Sequence, residues 1–181
     1  MYFNSFKSID LKKHLYILPM KTIILFRHGK SDWNAHFKDD HDRPINKRGI
    51  NAAKTMGKHL GDRKEIPELL ISSTALRARK TMELAAQSGN WKSECIYEPR
   101  IYGGSPNVLI EIIKNINEKF NSVCLIGHEP NFSSFISRSC NEEHHRFPTA
   151  SMAKIVYNKD KWINVMFGLG KLEWIKRPKE L

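Results

Sequence analysis

Two rhythms of apolar residues run along this chain: short uninterrupted runs, and longer stretches in which apolar residues recur every three to four positions. The run Thr22-Ile23-Ile24-Leu25-Phe26 is continuous, as expected of a strand buried on both faces, and predicts a first strand over 22–27. From Asn46 to Leu60, the residues Ile50, Ala53, Met56, Gly57 and Leu60 share one helical face, with Gly61 as a stop. A second strand is predicted over 68–72, behind Pro67. The next helix, Leu76 to Gln87, places Ala78, Met82, Ala85 and Ala86 on one face and ends at Ser88-Gly89-Asn90. Ser105-Pro106 supplies an N-cap and a proline at the first helical position, and Val108, Leu109, Ile112, Ile113 and Ile116 make a core-facing stripe. A strand over 122–127 leads into Gly127-His128-Glu129-Pro130 and a helix carrying Phe132, Phe135 and Ile136. The tail runs, Met152 to Tyr157 and Trp162 to Phe167, flank Asn158-Lys159-Asp160-Lys161 and predict a hairpin at the sheet edge.

Strands alternating with helices are the pattern of βαβ units on a parallel sheet. The expected fold class is α/β: a three-layer α/β/α sandwich around a mostly parallel central sheet. The 181 residues, 40% of them apolar and 27% charged, give one domain with its own core. That domain is expected over 21–181, since Met20 immediately precedes the first strand. Residues 1–20 read as an N-terminal extension of unknown role, or as the product of an upstream start codon.

The longest apolar run in that extension, Leu15-Tyr16-Ile17-Leu18, is too short for a signal-peptide core or a membrane helix. Cys95, Cys124 and Cys140 are an odd number without Cys-x-x-Cys spacing, which suggests neither a disulfide framework nor a thiolate metal site. A soluble protein of the cytoplasm is expected. The net charge of +11 favours anionic partners, yet the lysines and arginines are scattered, without a basic run or interleaved aromatics, so nucleic acid is not expected as a partner.

Chemistry concentrates where three apolar runs end. The first ends in Arg27-His28-Gly29, the second, Leu69-Leu70-Ile71-Ser72-Ser73, leads to Arg77, and the third, Val123-Cys124-Leu125-Ile126-Gly127, ends at His128. Parallel sheets bind ligands at the carboxyl ends of their strands, so these groups are expected to converge. Two guanidinium forks and two imidazoles around one site match a phosphoryl group, whose transfer needs positioning and charge compensation. His28 is the candidate nucleophile, attacking through one neutral ring nitrogen while the proton on the other is held by a carbonyl or carboxylate. Arg27 and Arg77 clamp the oxygens, and their charge is expected to lower the histidine pKa. His128 is a candidate donor to a phosphate oxygen, and Ser31 and Asn34 are candidates for further substrate bonds.

Three ordered blocks, Arg27 to Asn34, Ser72 to Thr81 and Gly127 to Pro130, resemble the histidine phosphatase superfamily, also called phosphoglycerate mutase-like. The resemblance covers about residues 21 to 181. It implies a phosphoglycerate mutase-like fold, transient phosphorylation of His28, a phosphate pocket completed by Arg27, Arg77 and His128, and neither metal nor other cofactor. Within the superfamily the chain is most similar to the small SixA-type phosphohistidine phosphatases, through its shortness, the segment Asp40 to Gly49 and the closing Arg177-Pro178-Lys179-Glu180-Leu181. Lys30 stands where the mutase branch has glutamate, and the connection between Gln87 and Ser105 is too short for that branch's capping insertion, which speaks against a mutase.

The expected substrate is phosphohistidine on a protein, such as a phosphotransfer domain. The alternatives are a small phosphate monoester or, further off, a non-catalytic phosphate-binding module. Ester cleavage calls for an acid to protonate the leaving alkoxide; Glu98 is the candidate, with Asp32 and Asp42 behind it. Phosphohistidine demands less of an acid because imidazole leaves readily. Asp40, Asp42 and Arg43 read at least as well as a loop salt-bridge network as they do as substrate contacts. Histidines 14, 36, 59, 144 and 145 read as structural or surface residues.

Overall fold

The continuous apolar run forms β1 (Lys21–Arg27), one strand of a six-stranded sheet in the computed structural model, which describes residues 20–181. The reading of residues 1–20 as an extension therefore lies, apart from Met20, outside the described residues. The other strands are β2 (Leu69–Ser72), β3 (Glu94–Tyr97), β4 (Ser122–Gly127), β5 (Met152–Tyr157) and β6 (Gly170–Lys176), in the order β3-β2-β4-β1-β5-β6. β3, β2, β4 and β1 run parallel, while β5 pairs antiparallel with both β1 and β6.

Alternation along each strand divides the interior into two layers. Ile23 and Leu25 of β1, with Val123 and Leu125 of β4, face α3 (Pro106–Lys114) and α4 (Asn131–Cys140) through Leu109, Ile113, Phe132 and Phe135. Ile24 and Phe26, with Cys124 and Ile126, face α1 (Lys47–Asp62) and α2 (Leu76–Ser88) through Met56, Leu60, Ala78 and Met82. Because both faces are covered, the central strands lack polar alternation, and their sequences read as unbroken apolar runs. The result is the α/β/α sandwich expected from the pattern.

The tail departs from the predicted hairpin. β5 pairs with β6, not with 162–167, where a short 3₁₀ turn (Trp162–Asn164) lies instead. The spacing explains the difference: Trp162 and Val165 are 0% exposed, whereas Ile163 and Met166 are 59% and 53% exposed. Burial every third residue is a 3₁₀ rhythm, not a strand rhythm. Trp162 Nε1 donates to the Phe120 carbonyl at 2.9 Å, which fixes the ring below α3. β3 lies outside the predicted strands: its apolar run Cys95-Ile96-Tyr97 is only three residues long, and all four strand residues are exposed at the sheet edge.

α1 and α2 pack backbone to backbone at Gly57. A Cβ there would land on the Ala85 backbone, 2.5 Å from Cα and 2.6 Å from the carbonyl carbon. Gly57 also accepts a hydrogen bond from Trp91 Nε1 at 3.1 Å. Alanine is the better helix former by about 1 kcal/mol, so propensity and packing oppose each other at this position. We predict that packing wins: Gly57→Ala lowers the urea unfolding free energy by about 1–3 kcal/mol, the usual range for overpacking, and an unchanged or raised midpoint would show that the helices can separate at no cost.

Candidate active site

The parallel register aligns the carboxyl ends of β2, β4 and β1. Ser72 lies opposite Ile126, and Gly127 opposite Arg27. The pairing continues past the strands, with the Ser73 amide donating to Ile126 O at 2.9 Å and the His28 amide to Gly127 O at 3.0 Å. His28, Ser73 and His128 thus leave three neighbouring strands at one level, and α2 begins three residues after Ser73, placing Arg77 in its first turn.

The His28 imidazole is fixed at both nitrogens. Nδ1 lies 2.7 Å from the carbonyl oxygen of Gly29, an acceptor only, so Nδ1 carries the proton. Nε2 therefore bears the lone pair, and Arg77 Nε donates toward it at 3.4 Å. The Gly29 amide donates to Thr81 Oγ1 at 2.8 Å, and that hydroxyl donates to the Arg77 carbonyl at 2.7 Å, tying the His28 loop to α2. A side chain at position 29 would meet Ile45 at 2.6 Å and the Gly49 carbonyl at 2.8 Å, so the tight approach of this loop to α1 requires glycine.

The remaining groups close round this nitrogen. The rings of His28 and His128 have centroids 5.0 Å apart, and His128 Nε2 lies 2.9 Å from Ser73 Oγ. Asp40 holds the Arg77 fork from behind: its carbonyl oxygen accepts from Nη1 at 2.6 Å and its carboxylate from Nη2 at 2.9 Å. The same carboxylate accepts from Arg43 Nε at 2.9 Å and from Tyr102 at 3.0 Å. Arg43 reaches the Ser31 hydroxyl and stacks on Trp33, its guanidinium carbon 3.6 Å from the ring centroid. Arg27 Nη1 donates to the Phe147 carbonyl at 2.8 Å, while its Nε is buried without a hydrogen-bond partner among the described residues.

His28, Arg27, Arg77, His128 and Ser31 all line one open cleft of about 740 Å³. Arg43, which had read equally well as a loop residue, lines it too. Asn34 and Glu98 do not, and neither do the secondary acid candidates Asp32 and Asp42. Asn34 is exposed and outside the cleft lining, in an Asx turn where its amide donates to Asp32 Oδ1 at 2.9 Å. Glu98 caps the 3₁₀ turn Pro99–Ile101 and is gripped by Arg100 through its backbone amide, Nε and Nη2 at 3.0, 3.0 and 2.8 Å. Those hydrogen bonds hold the Glu98 carboxyl below the usual range, so it is ionised near neutrality and has no proton to give. Tyr102, Ser73 and Thr81 were missed as site residues. Ser73 and Thr81 had a signal, since both sit inside the second motif block, whereas Tyr102 reaches the site through contacts distant in sequence; Asp40, weighed between a loop salt bridge and a substrate contact, is placed in the salt-bridge network with Arg77 and Arg43.

Burial pushes the His28 pKa down to about 4, against the hydrogen bond to Gly29 and with help from Arg77, Arg27 and Arg43. Burial also pushes His128 down to about 3, aided by His28 and Arg77. For Asp40, partial burial works upward, but Arg77, Tyr102 and Arg43 together outweigh it and keep the carboxylate ionised. The arrangement is a neutral, lone-pair-bearing imidazole in a basic cleft.

These features coincide with a known family. Residues 23–102 match the model of the histidine phosphatase superfamily (branch 1). A Mycobacterium leprae protein of unassigned function is 32% identical over 139 residues, covering 70% of this chain and 84% of its own length. A Mycobacterium tuberculosis protein is 34% identical over 108 residues, 60% of this chain and 65% of the relative, so the match spans just under two thirds of that relative. Among solved structures, the protein histidine phosphatase SixA in complex with tungstate superposes with a TM-score of 0.75 at 24% identity, covering 88% of this chain and 98% of that one. The mycobacterial glucosyl-3-phosphoglycerate phosphatase shares the fold at a TM-score of 0.60 and 14% identity, with 85% and 97% coverage. The chain belongs to the histidine phosphatase superfamily and has its phosphoglycerate mutase-like fold.

The two depressed imidazoles set a pH dependence. The unfolded chain takes up protons near the ordinary histidine value of 6.5, whereas the fold resists until about 4 at His28. Their contribution to stability is therefore complete above pH 6.5 and lost as pH falls from there toward 4. NMR titration of the imidazole carbons should give midpoints near 4 for His28 and near 3 for His128; a midpoint near 6.5 for His28 would mean that the cleft does not desolvate it.

Proposed function

We propose that this protein is a metal-independent phosphatase acting through a phosphohistidine intermediate on His28, with the catalytic apparatus in the domain 21–181. The observation that carries this reading is the fixed tautomer: Nδ1 is tied to the Gly29 carbonyl, and Nε2 faces Arg77 inside a basic cleft. A neutral imidazole with its lone pair already oriented needs no base to become a nucleophile.

In the first step the Nε2 lone pair forms a bond to phosphorus while the bond to the leaving group breaks, and the leaving group departs with its electron pair. Arg27 and Arg77 compensate the charge on the equatorial oxygens. The unpartnered Arg27 Nε is a donor that a phosphate oxygen would satisfy. His128, tied to Ser73 through Nε2, has no partner at Nδ1 among the described residues, which leaves that nitrogen for the phosphoryl group. Ser31, held by Arg43, adds a hydroxyl at the rim. In the second step water attacks the phosphorus of phosphohistidine, the N–P bond breaks and inorganic phosphate leaves.

For the substrate we favour phosphohistidine on a protein. The connection between α2 and α3 holds only the edge strand β3 and one 3₁₀ turn, so it builds no capping insertion. The carboxylates nearby are committed elsewhere: Glu98 to Arg100, and Glu129, at the cleft wall, to the amide and hydroxyl of Ser133 at 2.9 and 2.6 Å. A site whose carboxylates, among the described residues, are committed in this way suits imidazole as leaving group better than alkoxide. The likeness in fold to a protein histidine phosphatase supports the same choice. Among the described residues, no helix is long and apolar enough to cross a membrane.

Single-turnover incubation with a labelled phosphohistidine protein should trap an acid-labile phosphoenzyme in the wild type and none in His28→Ala, with slower turnover of a labelled phosphate ester. Label without His28, or no label from either substrate, would overturn the reading. Loss of one preorganised charge-stabilising donor costs about 10²–10³ in rate in comparable sites, and Arg77→Ala should lower kcat/KM by that amount. Glu98→Gln should leave turnover of the ester unchanged; a clear loss would identify Glu98 as the acid after all.

A further inference from the structure

A second groove opens beside the catalytic cleft and shares Lys30 and Thr149 with it. About 740 Å³ in volume, it lies between the start of α1, the 146–149 segment and the closing turn Pro178–Glu180. Its charged lining among the described residues is unbalanced: Lys30, Arg48, Arg146, Arg177 and Lys179 face it against the one acid Glu180. Glu180 is consumed by Arg177, whose Nη1 donates to it at 2.7 Å, leaving four cationic side chains with no other carboxylate from the described residues in the groove.

The local sequence makes this imbalance more than chance scatter. α1 begins Lys47-Arg48 and has no acidic residue in its first turn. Cations at a helix N-terminus oppose the macrodipole and cost stability where acids would have added it. Departures from a local stability rule concentrate at functional sites. The helix start and the exposed Arg48 thus add positive potential of the same sign at the same place.

We propose that this groove binds an acidic segment of the phosphorylated substrate protein, lying beside the phosphoryl group held in the catalytic cleft. The inference rests on the phosphatase reading and adds to it a rule for choosing substrates: carboxylate-rich chain next to the phosphorylated residue. Charge complementarity selects this occupant, and the continuity of the two clefts through Lys30 and Thr149 lets one chain occupy both. Attraction between exposed charges acts over about 10 Å at moderate ionic strength, so such docking weakens with salt.

The test uses the full chain and a fluorescein-labelled peptide rich in Asp and Glu but carrying no phosphate, read by fluorescence anisotropy. The wild type should bind it and ignore a peptide with Asn and Gln in place of the acids. Arg48→Glu combined with Lys179→Glu should weaken binding by about tenfold or more, while Arg48→Lys with Lys179→Arg should retain it. Because an acid in the first turn of α1 favours the helix, thermal stability of the reversed variant should hold or rise, separating lost binding from lost fold. Equal binding of the acidic and neutral peptides, or an unaffected charge reversal, would overturn the proposal. So would binding of single-stranded RNA or phosphatidylserine vesicles in place of the peptide. Turnover of phosphoramidate, too small to reach the groove, is measured alongside. Its absence in the wild type would count against the phosphatase reading, whereas its presence without selective peptide binding would sink the groove alone.

Discussion

The parallel register of β2, β4 and β1 is the constraint on which the site depends. These strands are buried on both faces, so a slip of one residue would turn Ile23 and Leu25 into the layer that accepts Ile24 and Phe26, and every side chain in the sheet centre would change neighbours. The register therefore cannot drift, and the side chains that follow the strand ends inherit its precision. Arg27, His28 and His128 are held by the sheet itself, and Arg77 by the helix that begins immediately after β2. Catalytic geometry of this kind is supplied by rigid elements, with few bonds needed within the cleft.

A second layer of contacts then tunes what the register places. Asp40 illustrates the principle. As a carboxylate within a basic cleft it would be expected to neutralise the site, yet it sits behind the Arg77 fork and turns the Nε edge toward His28. Its charge steadies one arginine without covering the imidazole. The desolvation that lowers both histidine pKa values is likewise a property of the packing, with the arginines adding to it. On the proposed reading, positive charge in this cleft serves twice, drawing the phosphoryl group in and helping to keep the His28 nitrogen unprotonated.

Much of this was legible in the chain because the central strands are short, buried and end in polar residues. The runs ending at Phe26, Ser72 and Gly127 carried both the fold class and the convergence of His28, Arg77 and His128, since in a parallel sheet those are one fact. What escaped the sequence depended on contacts between distant segments or on exposed edges. β3 has no buried residue to announce it, and the apolar run at Trp162 looked like a strand because its three-residue burial period is indistinguishable from continuous hydrophobicity until the chain is folded. Asp40 and Tyr102 reach the site only through pairing with Arg77 and with each other. Glu98 was a reasonable acid by position, and its capture by Arg100, two residues on, became visible only in the turn that both residues build.

The central claim is that the phosphoryl acceptor is one particular nitrogen, Nε2 of His28, surrounded by Arg27, Arg77 and His128. Soaking crystals of the protein with vanadate or tungstate tests it most directly. The account predicts the oxyanion within bonding distance of His28 Nε2, with Arg27 Nε and the Arg77 fork on its equatorial oxygens and the Nδ1–Gly29 hydrogen bond intact. An oxyanion bound through Nδ1, or seated away from His28 altogether, would contradict it.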